Sequence, residues 1–149
     1  MKRNRRNARI LSMQVLYAFY QQSDAVLDDV RNNTILLNEN EETDFPFFNK
    51  LLSQTVGNKD DIDDMIKKRS RNWDFDRITL LDKIILRQSI AELLYLDDVP
   101  PRVTISEAIE LSKEFSTDES HVFVNGMLDR TYKDLVSEGV LIPEIRTDD

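Results

Sequence analysis

Apolar residues recur at intervals of three and four along most of the chain, and residues that form turns are scarce. The 149 residues include only three Gly and four Pro. An all-β fold needs a turn about every 8–12 residues, so this supply is too small. Spacings of three and four place apolar side chains on one face of an α-helix. The sequence therefore predicts an all-α fold of about six to seven helices.

The predicted helices follow this periodicity. They cover residues 7–22, 27–37, 45–69, 80–96, 105–115 and 119–137. Residues 45–69 are expected to form one long helix with a bend at Gly57, and the alternative is two helices with Asn58 starting the second. The segment 80–96 is the most apolar of these helices, so we expect it to occupy the centre of the fold.

Capping residues predict where several helices begin. Thr79 and Asp82 have the spacing of a capping box ahead of the central helix. Thr104 and Glu107 repeat that spacing and predict the start of the helix at residues 105–115. Asp118 is placed to cap the last helix, because a carboxylate can accept the unpaired N–H groups of a first turn.

Two glycines carry predictions about the last helix. Gly139 follows its final residue and is expected to end it in a left-handed conformation. Gly126 lies inside the helix, where glycine costs about 1 kcal/mol relative to alanine. We expect the close approach of another helix backbone to compensate for that cost.

Charge is distributed unevenly along the chain. The totals are 20 Lys and Arg against 28 Asp and Glu, which leaves a net charge of −8. Residues 1–9, here called the basic arm, carry five cations and no acid. The other 140 residues carry 15 basic against 28 acidic side chains, a balance of −13. Cations at the start of a helix oppose the helix dipole, so the basic arm suggests a role other than stability.

Composition excludes several kinds of chemistry. The chain has no cysteine, so it has no disulfide, thiolate zinc site, iron–sulfur cluster or cysteine nucleophile. Its three glycines lie far apart and cannot form a phosphate-binding loop. The paired carboxylates at residues 60–61 and 63–64 lack metal-loop spacing and are better explained as a solvated helix face. The sequence thus predicts no catalytic residue, no metal and no cofactor.

The location of the protein is predicted from the same composition. No stretch approaches the ~20 apolar residues that a membrane-spanning helix requires. No small-residue cleavage site follows the basic start, as it would in a signal peptide. We therefore expect no membrane partner and a cytoplasmic location.

Four segments carry a resemblance to a known family. They read NRRNARILSMQVLY at residues 4–17, DKIILRQSIAEL at 82–93, DVPPRVTISEAIELSKEF at 98–115 and ESHVFVNGMLDR at 119–130. In this order and spacing they resemble the NusB transcription antitermination factors. The resemblance implies two packed helical-bundle subdomains, at about residues 1–72 and 73–139, followed by a polar tail at 140–149.

The family resemblance also implies a function and its residues. NusB-like factors bind the boxA element of nascent ribosomal RNA with NusE, a small-subunit ribosomal protein, in the antitermination complex of RNA polymerase. Arginine suits phosphate, and aromatic or amide side chains suit splayed bases. The expected RNA-binding residues are Lys2, Arg3, Arg5, Arg6, Arg9, His121, Phe123 and Asn125. Val122 stands where relatives often carry a basic residue.

The resemblance places the NusE-binding residues on acidic and aromatic positions. They are Tyr17, Asp76, Asp82 and Glu119. Two alternatives stay open: a helical protein-interaction module acting as a homodimer, and an accessory domain like those of some ribosomal RNA methyltransferases. The basic arm argues against the first. The absence of a cofactor-binding pattern and of cysteine argues against the second.

Overall fold

The chain folds into helices throughout the part that the structure describes. A computed structural model describes residues 2–70 and 74–144, and for residues 2 and 3 it describes the backbone alone. Within these ranges there are seven α-helices, one short 3₁₀ turn at Phe75–Arg77 and no strand, which confirms the all-α prediction. The helices are α1 (Lys2–Tyr20), α2 (Leu27–Leu37), α3 (Phe45–Gly57), α4 (Lys59–Arg69), α5 (Leu80–Tyr95), α6 (Pro101–Phe115) and α7 (Ser120–Ser137).

Helix α5 lies at the centre of the molecule, as its apolar sequence predicts. It packs against α1, α3, α4, α6 and α7. Every residue from 84 to 93 is buried, so the helix meets protein on all sides. Its start is set by Thr79, whose hydroxyl accepts the backbone N–H of Asp82 at 3.2 Å. The predicted cap at this position is confirmed.

One continuous hydrophobic core joins most of the helices. Buried apolar residues from α1, α3, α4, α5, α6 and α7 belong to a single cluster. Helix α2 has no buried residue and packs on the outside of α1. The division into subdomains stays a prediction, and its boundary at residues 72 and 73 falls in a stretch outside the described residues.

The segment at residues 45–69 forms two helices, so the prediction of one bent helix is wrong and the alternative is right. Asn58 separates α3 from α4, with φ −116° and ψ 19°, outside the range of an α-helix. The amide of Asn58 donates a hydrogen bond to the carbonyl of Gln54 at 2.9 Å, which holds the break. Asp44 caps α3 by accepting the N–H of Phe47 at 3.0 Å.

Helices α1 and α6 begin earlier than predicted. Helix α1 begins at Lys2 instead of residue 7, so the basic arm is part of the helix. Helix α6 begins at Pro101 instead of residue 105, because proline has the φ of a first helical residue and needs no N–H partner there. Thr104 and Glu107 therefore do not cap a helix. Both are buried inside α6, and the Thr104 hydroxyl donates to the carboxylate of Glu92.

Helix α7 ends as predicted but starts differently. Gly139 has φ +78°, and its N–H donates to the carbonyl of Val136 at 3.1 Å. Asp118 does not cap the helix, since Glu119 holds the capping position and no side chain accepts a hydrogen bond there. A Cβ built on Gly126 meets nothing within 4 Å. The predicted close approach of another backbone at Gly126 is therefore wrong.

Candidate nucleic-acid interface

Arg9 is buried inside the protein and does not reach the surface. Its side chain is 4% exposed, and its Nε and Nη2 donate to Glu92 at 2.8 and 2.9 Å. The Glu92 side chain is 1% exposed and also accepts the hydroxyl of Thr104. Gln88 donates to the backbone carbonyl of Arg9 at 2.9 Å. This network fastens α1 to α5 and α6, and the expectation that Arg9 contacts a phosphate does not fit its position.

Arg5 lies at the surface but already has acidic partners. Its Nη2 donates to Asp98 at 2.7 Å, and its Nε lies 3.5 Å from Asp44. The guanidinium also sits over the ring of Phe47, 4.7 Å from the centroid. The hydrogen bond with Asp98 raises the pKa of Arg5 and holds the pKa of Asp98 below its usual value. Arg5 is thus held in place and fully charged.

Arg6 is the most exposed of the three described arginines of the basic arm. Its side chain is 46% exposed, and its Nε donates to the buried carboxylate of Glu107 at 2.9 Å. That hydrogen bond, with the nearby charges of Glu110 and Glu114, raises the pKa of Arg6. The side chains of Lys2 and Arg3 lie outside the described part of the structure. The +5 counted from the sequence therefore overstates the uncompensated charge of the basic arm.

A groove between the start of α5 and the start of α7 contains several predicted residues. We call it the α5–α7 groove; its volume is about 630 Å³. It is lined by Arg77, Ile78, Thr79, Asp82, Thr117, Asp118, Glu119, Ser120, Val122, Phe123, Gly126 and Arg130. Phe123 is partly buried and packs against the hydrophobic core. Its side chain therefore contributes both to the core and to the lining of the groove. Gly126 faces this groove, which explains the open space beside its Cα.

The three predicted base-contacting residues do not all face the same surface. Phe123 lines the α5–α7 groove, whereas His121 and Asn125 do not. His121 and Asn125 are four residues apart on α7 and so lie on one face of that helix. His121 is partly buried and Asn125 is exposed.

The predicted NusE-binding residues differ in accessibility. Tyr17 on α1 and Asp76 in the 3₁₀ turn are exposed, and Glu119 is exposed at the edge of the α5–α7 groove. Asp82 is buried, and its carboxylate accepts the hydroxyls of Ser116 and Ser120, each at 2.9 Å. Asp82 therefore ties α5 to the α6–α7 connection while lining the groove.

Four charged residues at these surfaces are not among the site residues predicted from the sequence. Asp98 and Glu107 hold the arginines of α1, and Arg77 and Arg130 line the α5–α7 groove. Arg130 follows Gly126 by four residues, so helical spacing places both on one face and could have revealed it. Asp98 carries no local signal, because its partner Arg5 is 93 positions away.

Substituting Gly126 by alanine is expected to raise the free energy of unfolding by about 0.5–1 kcal/mol, since alanine loses less backbone entropy and the added methyl meets no atom. Urea unfolding followed by circular dichroism measures the change. Gly139→Ala is the matched control and is expected to be destabilising, because its φ of +78° is strained for alanine. Destabilisation by Gly126→Ala would mean that the groove is closed at this position.

The described residues were expected to hold neither a metal site nor a membrane-spanning helix. Among them, no group of three His, Asp or Glu side chains is placed to hold a metal ion. Asp63, expected on a solvated face, is instead buried and accepts two hydrogen bonds from Arg87, at 2.7 and 3.1 Å. Every helix in the described ranges is too short or too polar to span a membrane.

Comparison with known proteins shows the family to which this chain is similar. The model of the NusB family matches residues 6–133. A transcription antitermination protein NusB from Natranaerobius thermophilus is 39% identical over 135 residues, which make up 89% of this chain and 96% of that protein. The chain belongs to the NusB family. The matched range contains Arg6, Arg9 and the whole α5–α7 groove, so these features lie within the NusB-like part.

Two further NusB relatives extend the comparison. The transcription antitermination protein NusB of Chloroherpeton thalassium is 45% identical over 141 residues; these cover 93% of this chain, and the chain spans 65% of that protein's length. A solved structure of antitermination factors NusB and NusE in complex with dsRNA has a chain that matches with a TM-score of 0.79 and 25% identity. The match covers 90% of this chain and 99% of that one. Both of these NusB relatives from Natranaerobius and Chloroherpeton are transcription antitermination proteins.

Proposed function

We propose that this protein is a non-catalytic RNA-binding factor in transcription antitermination. It binds boxA single-stranded RNA of nascent ribosomal transcripts together with NusE, in the cytoplasm, as part of the antitermination complex of RNA polymerase. The observation that carries the proposal is the match to the NusB family over residues 6–133. The similarity to a chain from a NusB–NusE–dsRNA structure supports the choice of RNA and NusE as partners.

The RNA backbone is proposed to follow the start of α1. Arg6 is half exposed, and the partners of Arg5 include Asp98, whose side chain is 60% exposed. A guanidinium has five N–H donors, so Arg5 can donate to a phosphate while it stays bonded to Asp98. Lys2 and Arg3, at the start of the same helix, are also proposed to bind RNA. Arg9 holds α1 in place and makes no phosphate contact, because its guanidinium is buried against Glu92.

Base recognition is assigned to α7 in this proposal. Phosphate contacts set affinity, whereas base contacts set the choice of sequence. Phe123 offers an aromatic edge in the α5–α7 groove, and His121 and Asn125 offer hydrogen-bonding groups on another face of the helix. A single strand that crosses the start of α7 would contact both faces.

The NusE surface is proposed to include the exposed residues Tyr17, Asp76 and Glu119, with Asp82 at the base of the α5–α7 groove. A ribosomal protein is expected to be basic, and the chain outside the basic arm carries −13, so the charges are complementary. Without NusE, association of the chain as a homodimer is part of the proposal.

The decisive experiment measures RNA affinity with and without NusE. NusE is expected to raise the affinity for boxA RNA by about tenfold, a typical coupling between two ligands, because a basic partner reduces repulsion between RNA and the acidic body. Gel shifts with boxA and scrambled RNA at two salt concentrations provide the measurement. Equal affinity with and without NusE, or equal affinity for both RNAs, would contradict the proposal.

A variant of Phe123 separates base recognition from folding. Phe123→Leu keeps an apolar side chain against the core and removes the ring. We expect it to reduce the preference for boxA over scrambled RNA while leaving the salt dependence unchanged. The control is Phe115→Leu, an exposed phenylalanine outside the α5–α7 groove.

A further inference from the structure

A separate cleft lies between the first half of α1 and the turn that joins α5 to α6. Its volume is about 340 Å³. Val99, Pro100 and Val103 form an apolar wall, and the charged groups are those of Arg5, Arg9, Asp98 and Glu107. The cleft therefore presents an apolar surface and hydrogen-bonding groups within one small volume. None of the functional roles predicted from the sequence explains why apolar and charged groups meet at this cleft.

Both carboxylates at the cleft retain an oxygen that can accept a hydrogen bond. Asp98 accepts from Arg5 through Oδ2 and also from its own backbone N–H, and a carboxylate has about four lone-pair positions, so it can accept a further donor. Glu107 accepts from Arg6 through Oε2, while its Oε1 lies 3.9 Å from Nη1 of Arg9, beyond hydrogen-bond distance. Ionised carboxylates accept and cannot donate. A ligand that complements the cleft must therefore supply hydrogen-bond donors to these carboxylates.

A phosphate does not fit this requirement, because it is anionic and has only acceptors to offer. A nucleobase fits it better. Its ring can lie on the apolar wall, and N–H groups on its edge can donate to the carboxylates. Guanine has the most suitable edge, since N1–H and the N2 amino group are adjacent donors and match the two oxygens of a carboxylate.

We propose that this cleft binds a base of single-stranded RNA, with guanine preferred, through Asp98. The proposal rests on the proposed function as an RNA-binding factor and adds a recognition site to it. Arg6 is bonded to Glu107, the second carboxylate of the cleft, and its side chain is half exposed. It can therefore hold the phosphate of the nucleotide whose base enters the cleft. Asp98 acts here as a residue that determines specificity, and its bond to Arg5 keeps the carboxylate oriented.

The test compares guanosine with inosine, which lacks only the N2 amino group. The probes are twelve-residue oligouridine RNAs with one central guanosine, inosine or 7-deazaguanosine, and binding is measured by fluorescence anisotropy. The wild-type protein is expected to bind the guanosine probe about tenfold more tightly than the inosine probe, the size of a hydrogen bond to a charged acceptor. The 7-deazaguanosine probe keeps both donors and should bind like guanosine.

Asp98→Asn is expected to reduce the guanosine-to-inosine ratio to near one. Its side chain is largely exposed, so the fold should tolerate the change. Asp97→Asn, with the same charge change at the adjacent exposed residue, should keep the wild-type ratio. Equal binding of both probes by the wild type, or stronger binding of all probes by Asp98→Asn at an unchanged ratio, would overturn the base site.

The same data separate this proposal from the proposed function. Salt-dependent binding of every probe without a guanosine preference would reject the base site and leave RNA binding intact. No binding of any probe at low salt would reject both.

Discussion

Replacing Glu92 by alanine is expected to lower the free energy of unfolding by about 3–5 kcal/mol, the typical cost of removing one partner of a buried ion pair. Arg9 would keep its charge in a site where it is 4% exposed and would lose both hydrogen bonds to Glu92. Thr104 would lose its acceptor as well. Because these residues join α1, α5 and α6, the loss acts on the whole core.

Urea unfolding of the Glu92→Ala variant measures this loss. Circular dichroism at about 222 nm follows the helix signal during unfolding. Glu110→Ala is the matched control: Glu110 is exposed on α6, 3.9 Å from Lys113, and its removal should change stability by less than about 0.5 kcal/mol. Replacing Arg9 and Glu92 together by methionine should cost less than Glu92→Ala alone, since no charge is then stranded. A loss below about 1 kcal/mol for Glu92→Ala would show that water compensates Arg9.

Replacing Arg5 and Arg6 together by alanine is expected to weaken RNA binding about tenfold or more at 0.1 M salt, whatever the RNA sequence. Each phosphate contact to a single strand adds about −0.7 to the slope of log affinity against log salt, so the slope should become less steep by about 1.4. Both arginines are at the surface, and each guanidinium has N–H donors beyond the ones that it gives to its carboxylate partners.

The matched control for the arginine pair is the double variant Lys113→Ala with Lys133→Ala. These lysines also pair with carboxylates on exposed helix faces, and their removal changes the net charge by the same amount. Fluorescence anisotropy at four salt concentrations compares the two double variants. An unchanged slope for the arginine variant, or equal slopes for both variants, would mean that RNA does not bind at the start of α1.

Several features of the fold could be predicted from the sequence because their causes are local. A helix joins residues four positions apart, so apolar spacing within a short window predicts α5 and its central place. The caps at Thr79 and Gly139 involve only the adjoining turn. Thr104 and Glu107 show the limit of this argument: they have capping spacing, yet both are buried and the hydroxyl of Thr104 donates to Glu92.

The candidate site was predictable only in part. The family motif identifies Phe123, and the structure places it in the α5–α7 groove. The motif does not reveal that Gly126 opens onto the same groove, since the space beside a glycine depends on the helices around it. It also gives no reason to associate Asp98 with Arg5.

The sequence by itself determined that the chain is helical, where most helices lie, and to which family it belongs. Only the tertiary structure decided what the arginines of the basic arm do. Arg5, Arg6 and Arg9 find their carboxylates 93, 101 and 83 positions away, at Asp98, Glu107 and Glu92. A charge count along the chain treats all three arginines alike, because it carries no information on partners brought together by packing. Burial then fixes Arg9 as part of the core and leaves Arg5 and Arg6 at the surface.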